Sequence, residues 1–539
     1  MRKILILSSV LLIAIVVIAS EYFSELSGNT NNFTKVLNNI PSDASVIISF
    51  SNDDSFHEIF KDYKPFDDVI GAEKTTEQRL LYITLLNQQP LQQIAEGGRV
   101  FLSFHPSKNG SINFLYSMTL NGKFSADNIS NSLYALRGVK IDKERNGIFV
   151  LHLPNAKANF YLYVAKGMAC GSFSEELVKR ATSDATTKIS QTFIGEINKN
   201  LLRDESSPIN LFIDHRSFSR FFSSFVRGRS DGNSSLLNNI SGFSSLGMNF
   251  KSDALMFNGL STPDTSTRCY LNLFLHQRPV FNQLKEQLPE NTANYIMFGV
   301  SDFLKFHDEL EKYFSQKGEG SQLKGLNNYV EKVSGISTKR DILPLLGNEF
   351  SVIETISRER FGLIKVANGT EINTRLKLIS TQVASDIWRF NHSNLLYYYY
   401  GDPFKTFLKP YFAVIDNFLV VANTSEMVQK YLDDYTHRRF LTNNKDFNGH
   451  DQLVANQSNV LYSINLKNSF AVIRTVLKKE LAQSFESSNF GFRKFYGMSC
   501  QWSSDGVHFQ ANIYANYLPG GAASLQSFSD SSQHPMSNR

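Results

Sequence analysis

Two histidines with acidic neighbours are the first residues whose types and spacing could perform chemistry. His57 precedes Glu58, and His307 precedes Asp308 at an offset of 250 residues. A histidine beside a carboxylate can serve as a general base or as a metal ligand. Adjacent residues on a helix point about 100° apart, however, so neither pair converges locally. No His-Glu-x-x-His motif accompanies them. We therefore expect two partly exposed helix residues and no site.

Four consecutive tyrosines, Tyr397, Tyr398, Tyr399 and Tyr400, form the most unusual short segment of the chain. We predict a strand here, so that Tyr397 and Tyr399 face one side and Tyr398 and Tyr400 face the other. One pair could then belong to the core, and the other could form a platform for a sugar ring, a peptide or a partner chain. These are the candidate partner-binding residues. A strand that is buried on one face, with ordinary aromatic packing on the other, is the alternative.

The known catalytic motifs are missing from the sequence. Residues 242–247 miss the spacing of a Gly-x-Ser-x-Gly elbow, and the Gly-Gly-Arg of residues 97–99 lacks the Gly-Lys-Ser/Thr of a phosphate loop. Cys170, Cys269 and Cys500 are too few for a four-ligand zinc site or a disulfide framework. We expect Cys170 to be a buried, inert thiol. The sequence thus predicts no catalytic residue, metal or cofactor, and it favours a protein that is not an enzyme.

Composition narrows the class of protein. The chain has 539 residues, of which 42% are hydrophobic and 19% charged, with a net charge of +5. This excludes a wholly disordered chain and a multi-span membrane protein, and it leaves room for more than one core. Because 55 basic residues are offset by 50 acidic ones, the charge is too dilute to indicate binding to nucleic acid.

The N-terminus carries a targeting signal. Arg2 and Lys3 precede an apolar run at residues 4–19, and the next charge is Glu21. This pattern is typical of export, because insertion keeps basic residues on the cytoplasmic side. Tyr22 and Phe23 could extend the short apolar run at the membrane interface. We predict a single-pass membrane anchor with the body in the periplasm, and secretion after signal cleavage is the alternative.

The rest of the chain reads as one unit repeated. Segments of similar sequence recur at an offset close to 250 residues, in the same order and at the same kinds of element. They include residues 160–167 and 410–417, which both read as a strand and a turn before a helix start. The predicted organisation is a signal-anchor or signal peptide at 1–20, a connecting segment at 21–40, a first repeat at 41–280, a second repeat at 281–517 and a disordered tail at 518–539.

Hydrophobic periodicity predicts an α+β fold in each repeat. Strands joined by short turns indicate mainly antiparallel sheets, and the helices cluster between strands instead of following each one. A hairpin, for example, is predicted over residues 99–104 and 113–119. The other predicted elements of the first half are strands at 44–50, 148–153, 160–165, 210–213, 247–251, 255–260 and 267–275, and helices at 55–63, 73–87, 126–136, from 174 and at 216–225. Those of the second half are strands at 293–300, 350–355 and 362–366, and helices at 304–314 and 323–333.

These features together resemble a known group of proteins. The anchor, the Pro-x-Asp/Asn-Ala/Thr segments at residues 41–44 and 289–292, and the doubled α+β body are similar to a family of uncharacterised envelope proteins of the Bacteroidota type. The resemblance covers most of residues 1–517. It implies a fold and a location in the cell envelope, and it implies no activity.

The sequence leaves several functions open. The first is a non-catalytic, membrane-anchored envelope protein that binds another envelope protein or a polymer, because an anchor and a duplicated body occur without catalytic signatures. An envelope hydrolase of glycan or peptide is an alternative, since repeated aromatic surfaces suit polymers. A carrier that binds a small ligand between the two repeats is another, since ligands often bind at domain interfaces.

Overall fold

A computed structural model describes residues 33–53, 63–89, 91–108, 110–121, 123–143, 147–203, 207–227, 240–486 and 491–518. The predicted anchor, most of the connecting segment and nearly all of the predicted tail lie outside these residues, as does the predicted helix at 55–63 except for its last residue. Within the described residues, every helix is too short or too polar to cross a membrane.

The described chain contains strands throughout. Their bounds in chain order are β1 (Val46–Ser51), β2 (Arg99–Pro106), β3 (Ile112–Thr119), β4 (Lys140–Lys143), β5 (Ile148–His152), β6 (Phe160–Ala165), β7 (Met168–Ser172), β8 (Ile209–Asp214), β9 (Phe243–Lys251), β10 (Ala254–Thr262), β11 (Val280–Phe281), β12 (Thr292–Gly299), β13 (Leu346–Thr355), β14 (Arg360–Val366), β15 (Ser380–Ala384), β16 (Ile387–Phe390), β17 (Tyr411–Ile415), β18 (Phe418–Ala422), β19 (Gln457–Ser458), β20 (Val460–Asn465), β21 (Phe495–Ser504) and β22 (Phe509–Tyr517).

Helices lie between groups of strands. They are α1 (Lys64–Ile70), α2 (Ala72–Leu81), α3 (Leu91–Ala95), α4 (Ala126–Tyr134), α5 (Glu175–Thr182), α6 (Gln191–Arg203), α7 (His215–Ser223), α8 (Phe303–Gln316), α9 (Gly320–Ser334), α10 (Gly369–Lys377), α11 (Leu395–Tyr400), α12 (Ser425–Thr436), α13 (Lys445–Asp451), α14 (Phe470–Val476) and α15 (Lys479–Glu486).

Side-chain caps explain where several helices begin. The Ser174 hydroxyl accepts a hydrogen bond from the backbone N–H of Leu177 at the start of α5. The Thr424 hydroxyl accepts one from Met427 at the start of α12, 250 residues later. A cap of this kind satisfies an N–H that has no partner within the helix. The sequence-based prediction of a helix start at Ser174 is thus confirmed, with its local physical cause.

The chain forms two compact units. The first comprises residues 1–62 and 73–217, and the second comprises residues 63–72 and 218–539. The sequence predicted repeats that meet at residues 280 and 281, whereas the compact units divide at Ser217. The reason is that β10 pairs with β22 along eight residue pairs and so groups with the second unit. A division of the chain by compactness does not test a division by repeated sequence. The bounds of the two repeats therefore stay a prediction.

In the first unit, the described strands form one antiparallel sheet in the order β4-β5-β6-β7-β3-β2-β1-β8. A core of apolar side chains packs between helices α3 and α4 and strands β5 and β6; Ile129, Leu133, Phe149 and Leu151 are among its buried members. Burial of such side chains is the main contribution to the stability of the unit.

In the second unit, eight strands pair in the order β15-β16-β17-β18-β14-β13-β12-β20, and β21, β22, β10 and β9 extend the sheet beyond β20. All these pairings are antiparallel. Every residue of β12 is buried, as befits a strand in the middle of a sheet. The first eight strands repeat the pairing order of the first unit. The predicted α+β class with mainly antiparallel sheets is confirmed.

The strand predicted at residues 267–275 is wrong. Residues 267–275 were expected to be extended, but Tyr270–Phe274 forms a 3-10 helix whose apolar side chains are all buried. The segment starts from a turn, because the hydroxyls of Ser266 and Thr267 both donate hydrogen bonds to the Asp264 carboxylate. A short apolar segment that is buried on all sides shows no alternation of polar and apolar residues. Its sequence therefore does not distinguish a strand from a helix.

Candidate functional site

The four tyrosines do not form a strand. Tyr397–Tyr400 completes α11, and all four side chains are buried. Asn394 before the helix has a positive φ of 64°, and Gly401 after it has a φ of 82°, so both ends of this short helix turn sharply. The expected alternation of a buried pair and an exposed pair is therefore wrong. The rings form no open platform for a partner, and aromatic packing accounts for them.

Only Tyr397 reaches a polar cluster near the surface. Its hydroxyl donates to Glu319 Oε2 at 2.9 Å and accepts from Lys317 Nζ at 3.2 Å. Lys317 Nζ also donates to Asp402 Oδ1 at 2.9 Å, and Tyr313 donates to Asp402 Oδ2 at 2.5 Å. Burial raises the pKa of Tyr397, and the hydrogen bond to Glu319 and the charge of Asp402 raise it further. Lys317 lies between the two carboxylates, each of which also accepts a hydrogen bond from a tyrosine hydroxyl, so the cluster is a structural network.

A second polar cluster has the residue types of a catalytic triad. His105 Nδ1 lies 2.8 Å from Asp43 Oδ1, and His105 Nε2 lies 2.9 Å from Ser103 Oγ. Burial lowers the pKa of His105, against the effect of the Asp43 carboxylate. Burial alone would raise the pKa of Asp43, but hydrogen bonds and charges from His105 and Arg180 bring it below its ordinary value.

The geometry of this cluster does not support nucleophilic catalysis. Ser103 and His105 lie on β2 inside the sheet, and both side chains are inaccessible to solvent. Arg180 also lies 2.8 Å from Asp43 Oδ1, the same oxygen that His105 contacts. A nucleophile must reach a substrate, so a completely buried Ser103 is a structural residue in this conformation. The sequence could have placed Ser103 and His105 on one face by their spacing of two, but Asp43 is 60 residues away.

The two histidines considered first do not form a described site. His57 lies outside the described residues. His307 was expected to be partly exposed, but it is buried on α8, and neither of its ring nitrogens has a hydrogen-bond partner within the described chain. Burial lowers its pKa, although Glu311 Oε1 lies 3.8 Å from Nδ1. The described residues contain no cluster of side chains that could hold a metal ion.

The cysteines are poor nucleophiles. Cys170 is buried on β7, as predicted, and burial raises its pKa to about 12. Burial likewise raises the pKa of Cys500 to about 12 and also raises that of Cys269. Because the thiolate is the reactive form, all three side chains are expected to be inert near neutral pH.

An open cavity of about 710 Å³ lies beside α5 in the first unit. Its charged lining residues are already paired: Lys179 with Glu175, Glu176 with Lys108, and Arg180 with Asp43. Such a surface has little unbalanced charge with which to hold a ligand. The cavity therefore indicates no particular ligand class.

The β15–β16 hairpin of the second unit presents a different surface. Val383 on β15 is 50% exposed, and Leu378 and Leu408 beside the hairpin are 57% and 59% exposed. No described strand pairs with the outer edge of β15, whose other edge pairs with β16. Several exposed apolar groups beside an open strand edge are typical of an interaction surface.

Basic side chains surround the same hairpin. Lys377, Arg389 and Lys409 are exposed, and none forms an ion pair within the described chain. Lys377 Nζ lies 5.2 Å from the centre of the Trp388 ring, and the Arg389 guanidinium lies 5.2 Å from that of Tyr411. We call β15, β16 and these neighbours the hairpin surface. The sequence did not point to it, because nothing local marks β15 as an edge.

Comparisons with known proteins place the chain in no family. No family model matches it, and no curated protein matches it. Two crystal structures of TP0453 were found in a search of solved structures. Crystal form IV is 11% identical with a TM-score of 0.22, covering 42% of this chain and 79% of that one. Crystal form III is 10% identical with a TM-score of 0.19, covering 45% and 88%. At these TM-scores neither likeness supports an argument about fold or function.

Proposed function

We propose that this protein is a non-catalytic, membrane-anchored protein of the cell envelope that binds another envelope protein or a polymer. The observation that carries the proposal is the hairpin surface, where exposed apolar side chains and unpaired basic ones surround a strand edge. Surfaces that combine these features suit a macromolecular partner better than a small substrate.

The location is argued from the N-terminus. Arg2 and Lys3 before an apolar run at residues 4–19 favour an export signal that stays as an anchor, with the body in the periplasm. Retention of this segment would hold the hairpin surface near other envelope components. A secreted form, released by cleavage of the signal, is the alternative.

An internal duplication is part of the proposal. It is supported by the shared pairing order of eight strands in each unit, and by helix caps at Ser174 and Thr424, which lie 250 residues apart. We propose that residues 41–280 and 281–517 descend from one ancestral unit, as in the envelope family that the sequence resembles. A duplicated scaffold allows one copy to acquire a binding surface while the other keeps a structural role.

Site-specific crosslinking tests the proposed function. A photo-reactive amino acid is placed at Val383 in the full-length chain, and illumination is performed in native membranes. The matched control carries the same group at Val507, which is also an exposed valine of the second unit. A reproducible adduct from position 383 that is missing from position 507 supports the proposal. Identical adducts from both positions, or none from either, would overturn it.

A further inference from the structure

Among the described strands, none pairs with the outer edge of β15. Residues 381–384 are exposed, and the strand pairs with β16 on one side through Thr381 opposite Arg389 and Gln382 opposite Trp388. The register shifts between Gln382 and Ala384, so the regular part of β15 ends at Gln382. Along a strand, successive N–H groups point to opposite edges. The outer edge of β15 therefore presents backbone donors and acceptors that an extended peptide can pair with.

The corresponding strand of the first unit is protected. β4 occupies the same position in the pairing order, next to β5 and with no other described strand beside it. Its sequence is Lys-Ile-Asp-Lys, and Asp142 forms a hydrogen bond of 2.9 Å with His152 on the neighbouring strand. Charged side chains on an edge strand oppose pairing with other chains. β15 reads Ser-Thr-Gln-Val-Ala and has no charge, so of these two described edge strands β15 is the one without charged side chains.

The surroundings of β15 favour an acidic partner. Lys377, Arg389 and Lys409 supply three positive charges around the hairpin, against one exposed carboxylate, Asp386, in the β15–β16 turn. None of the three bases is neutralised within the described chain. Positive groups around a docking surface attract an acidic segment and repel a basic one. The exposed Val383 adds an apolar contact on one face of the strand.

We propose that the outer edge of β15 binds an extended, acidic segment of an envelope protein as an added β-strand. This inference rests on the proposed function and names the class of its partner. Main-chain hydrogen bonds would supply affinity that depends little on sequence, and the basic side chains would select for carboxylates.

The test uses the intact chain and a synthetic probe. The probe is a short fluorescent peptide that alternates Val with Glu, and two matched peptides replace Glu with Lys or carry N-methyl groups on alternate backbone nitrogens. Binding is measured by fluorescence anisotropy. We expect the acidic peptide to bind at least about tenfold more tightly than the basic one. N-methylation should abolish binding, because it removes the donors that an added strand needs.

Two proline variants locate the binding edge. Thr381→Pro and Gln382→Pro each remove one N–H, and the two N–H groups point to opposite edges of β15. We expect only the variant that loses the outward N–H to weaken peptide binding while its melting temperature stays near that of the parent chain. Equal binding by the acidic, basic and N-methylated peptides, or by both proline variants and the parent chain, would overturn strand addition.

The outcomes also separate this inference from the proposed function. A specific adduct at Val383 in native membranes, together with no peptide binding, would leave the partner-binding function standing and remove strand addition. Binding of the intact chain to the acidic peptide is compared with its binding to vesicles of equal parts phosphatidylglycerol and phosphatidylcholine. Vesicle binding that is lost when Lys377, Arg389 and Lys409 are changed to Gln, but kept in both proline variants, would overturn the peptide assignment in favour of a membrane surface.

Discussion

The Nε2 atom of His450 lies 2.7 Å from the hydroxyl oxygen of Ser499 inside the second unit. Ser499 in turn donates to Ser463 at 2.9 Å, so Nε2 of His450 carries the proton of the neutral ring. Nδ1 has no hydrogen-bond partner within the described chain. Burial, aided by the charge of Lys285, lowers the pKa of His450 to about 4. The ring is therefore neutral in the folded protein at pH 7.

This histidine should make the second unit sensitive to acid. The pKa of His450 is lower in the folded chain than its ordinary value of 6.5, so the unfolded chain takes up the proton first as the pH falls. The titration of His450 therefore leaves the free energy of unfolding unchanged well above pH 6.5, and it lowers that free energy as the pH falls from 6.5 to about 4. From pH 7.5 to pH 5 we expect a loss of about 2 kcal/mol from this residue.

Urea unfolding followed by tryptophan fluorescence measures the effect, because Trp388 and Trp502, the two tryptophans of the chain, both lie in the second unit. His450→Gln should lower the free energy of unfolding at pH 7.5, because the glutamine packs less well than the ring. Between pH 7.5 and pH 5, the variant should lose about 2 kcal/mol less of this free energy than the parent chain does. A variant as acid-sensitive as the parent chain would show that another group titrates.

Replacing Ser103 by alanine should affect stability and no activity. The change leaves Nε2 of the buried His105 without its hydrogen-bond partner, which should cost about 1–3 kcal/mol. Scanning calorimetry measures the loss, and the exposed Ser393→Ala serves as the control. Turnover of p-nitrophenyl butyrate should be at the buffer level for both variants and the parent chain. Hydrolysis that depends on Ser103 would instead show that the triad opens to substrate.

Phe350 should be among the most sensitive core positions of the second unit. Its ring is fully buried and lies 4.8 Å from the ring centre of Tyr400 and 4.9 Å from that of Phe298. Phe350→Ala removes these contacts and leaves a cavity, so we expect a loss of about 3–5 kcal/mol in urea unfolding. Phe281→Ala, at a phenylalanine that is 57% exposed, should change stability by no more than about 0.5 kcal/mol. Similar losses at both sites would contradict the packing argument.

Gly401 should not tolerate a side chain. Its φ of 82° favours glycine, and a Cβ there would lie 2.3 Å from the ring of Tyr270. Gly401→Ala therefore combines backbone strain with a clash and should cost about 2–4 kcal/mol. Gly335 has a φ of 70° and open space around it, so Gly335→Ala isolates the backbone effect and should cost about 1 kcal/mol. Equal losses of stability for the two variants would show that Tyr270 moves aside freely.

Local physics explains which predictions from sequence hold. The hairpin of β2 and β3, the helix after Ser174 and strands such as β5 and β6 were predicted correctly, because alternation and capping depend on residues only a few positions apart. The same rules fail for Tyr397–Tyr400 and Tyr270–Phe274. Both are short runs buried on all sides, where no polar face is left to reveal the period.

The sequence by itself determined the α+β class, most element positions and the prediction of an exported, repeated chain, because each depends on composition and on neighbours along the chain. Only the tertiary structure decided that Asp43 lies against His105, and that β4 and β15 each have a single strand partner among the described strands. These contacts depend on which distant segments of the chain pair with each other. The sequence around each residue does not indicate which segment that is. The burial of the tyrosines and the exposure of Arg389 were decided in the same way, by packing between elements far apart in sequence.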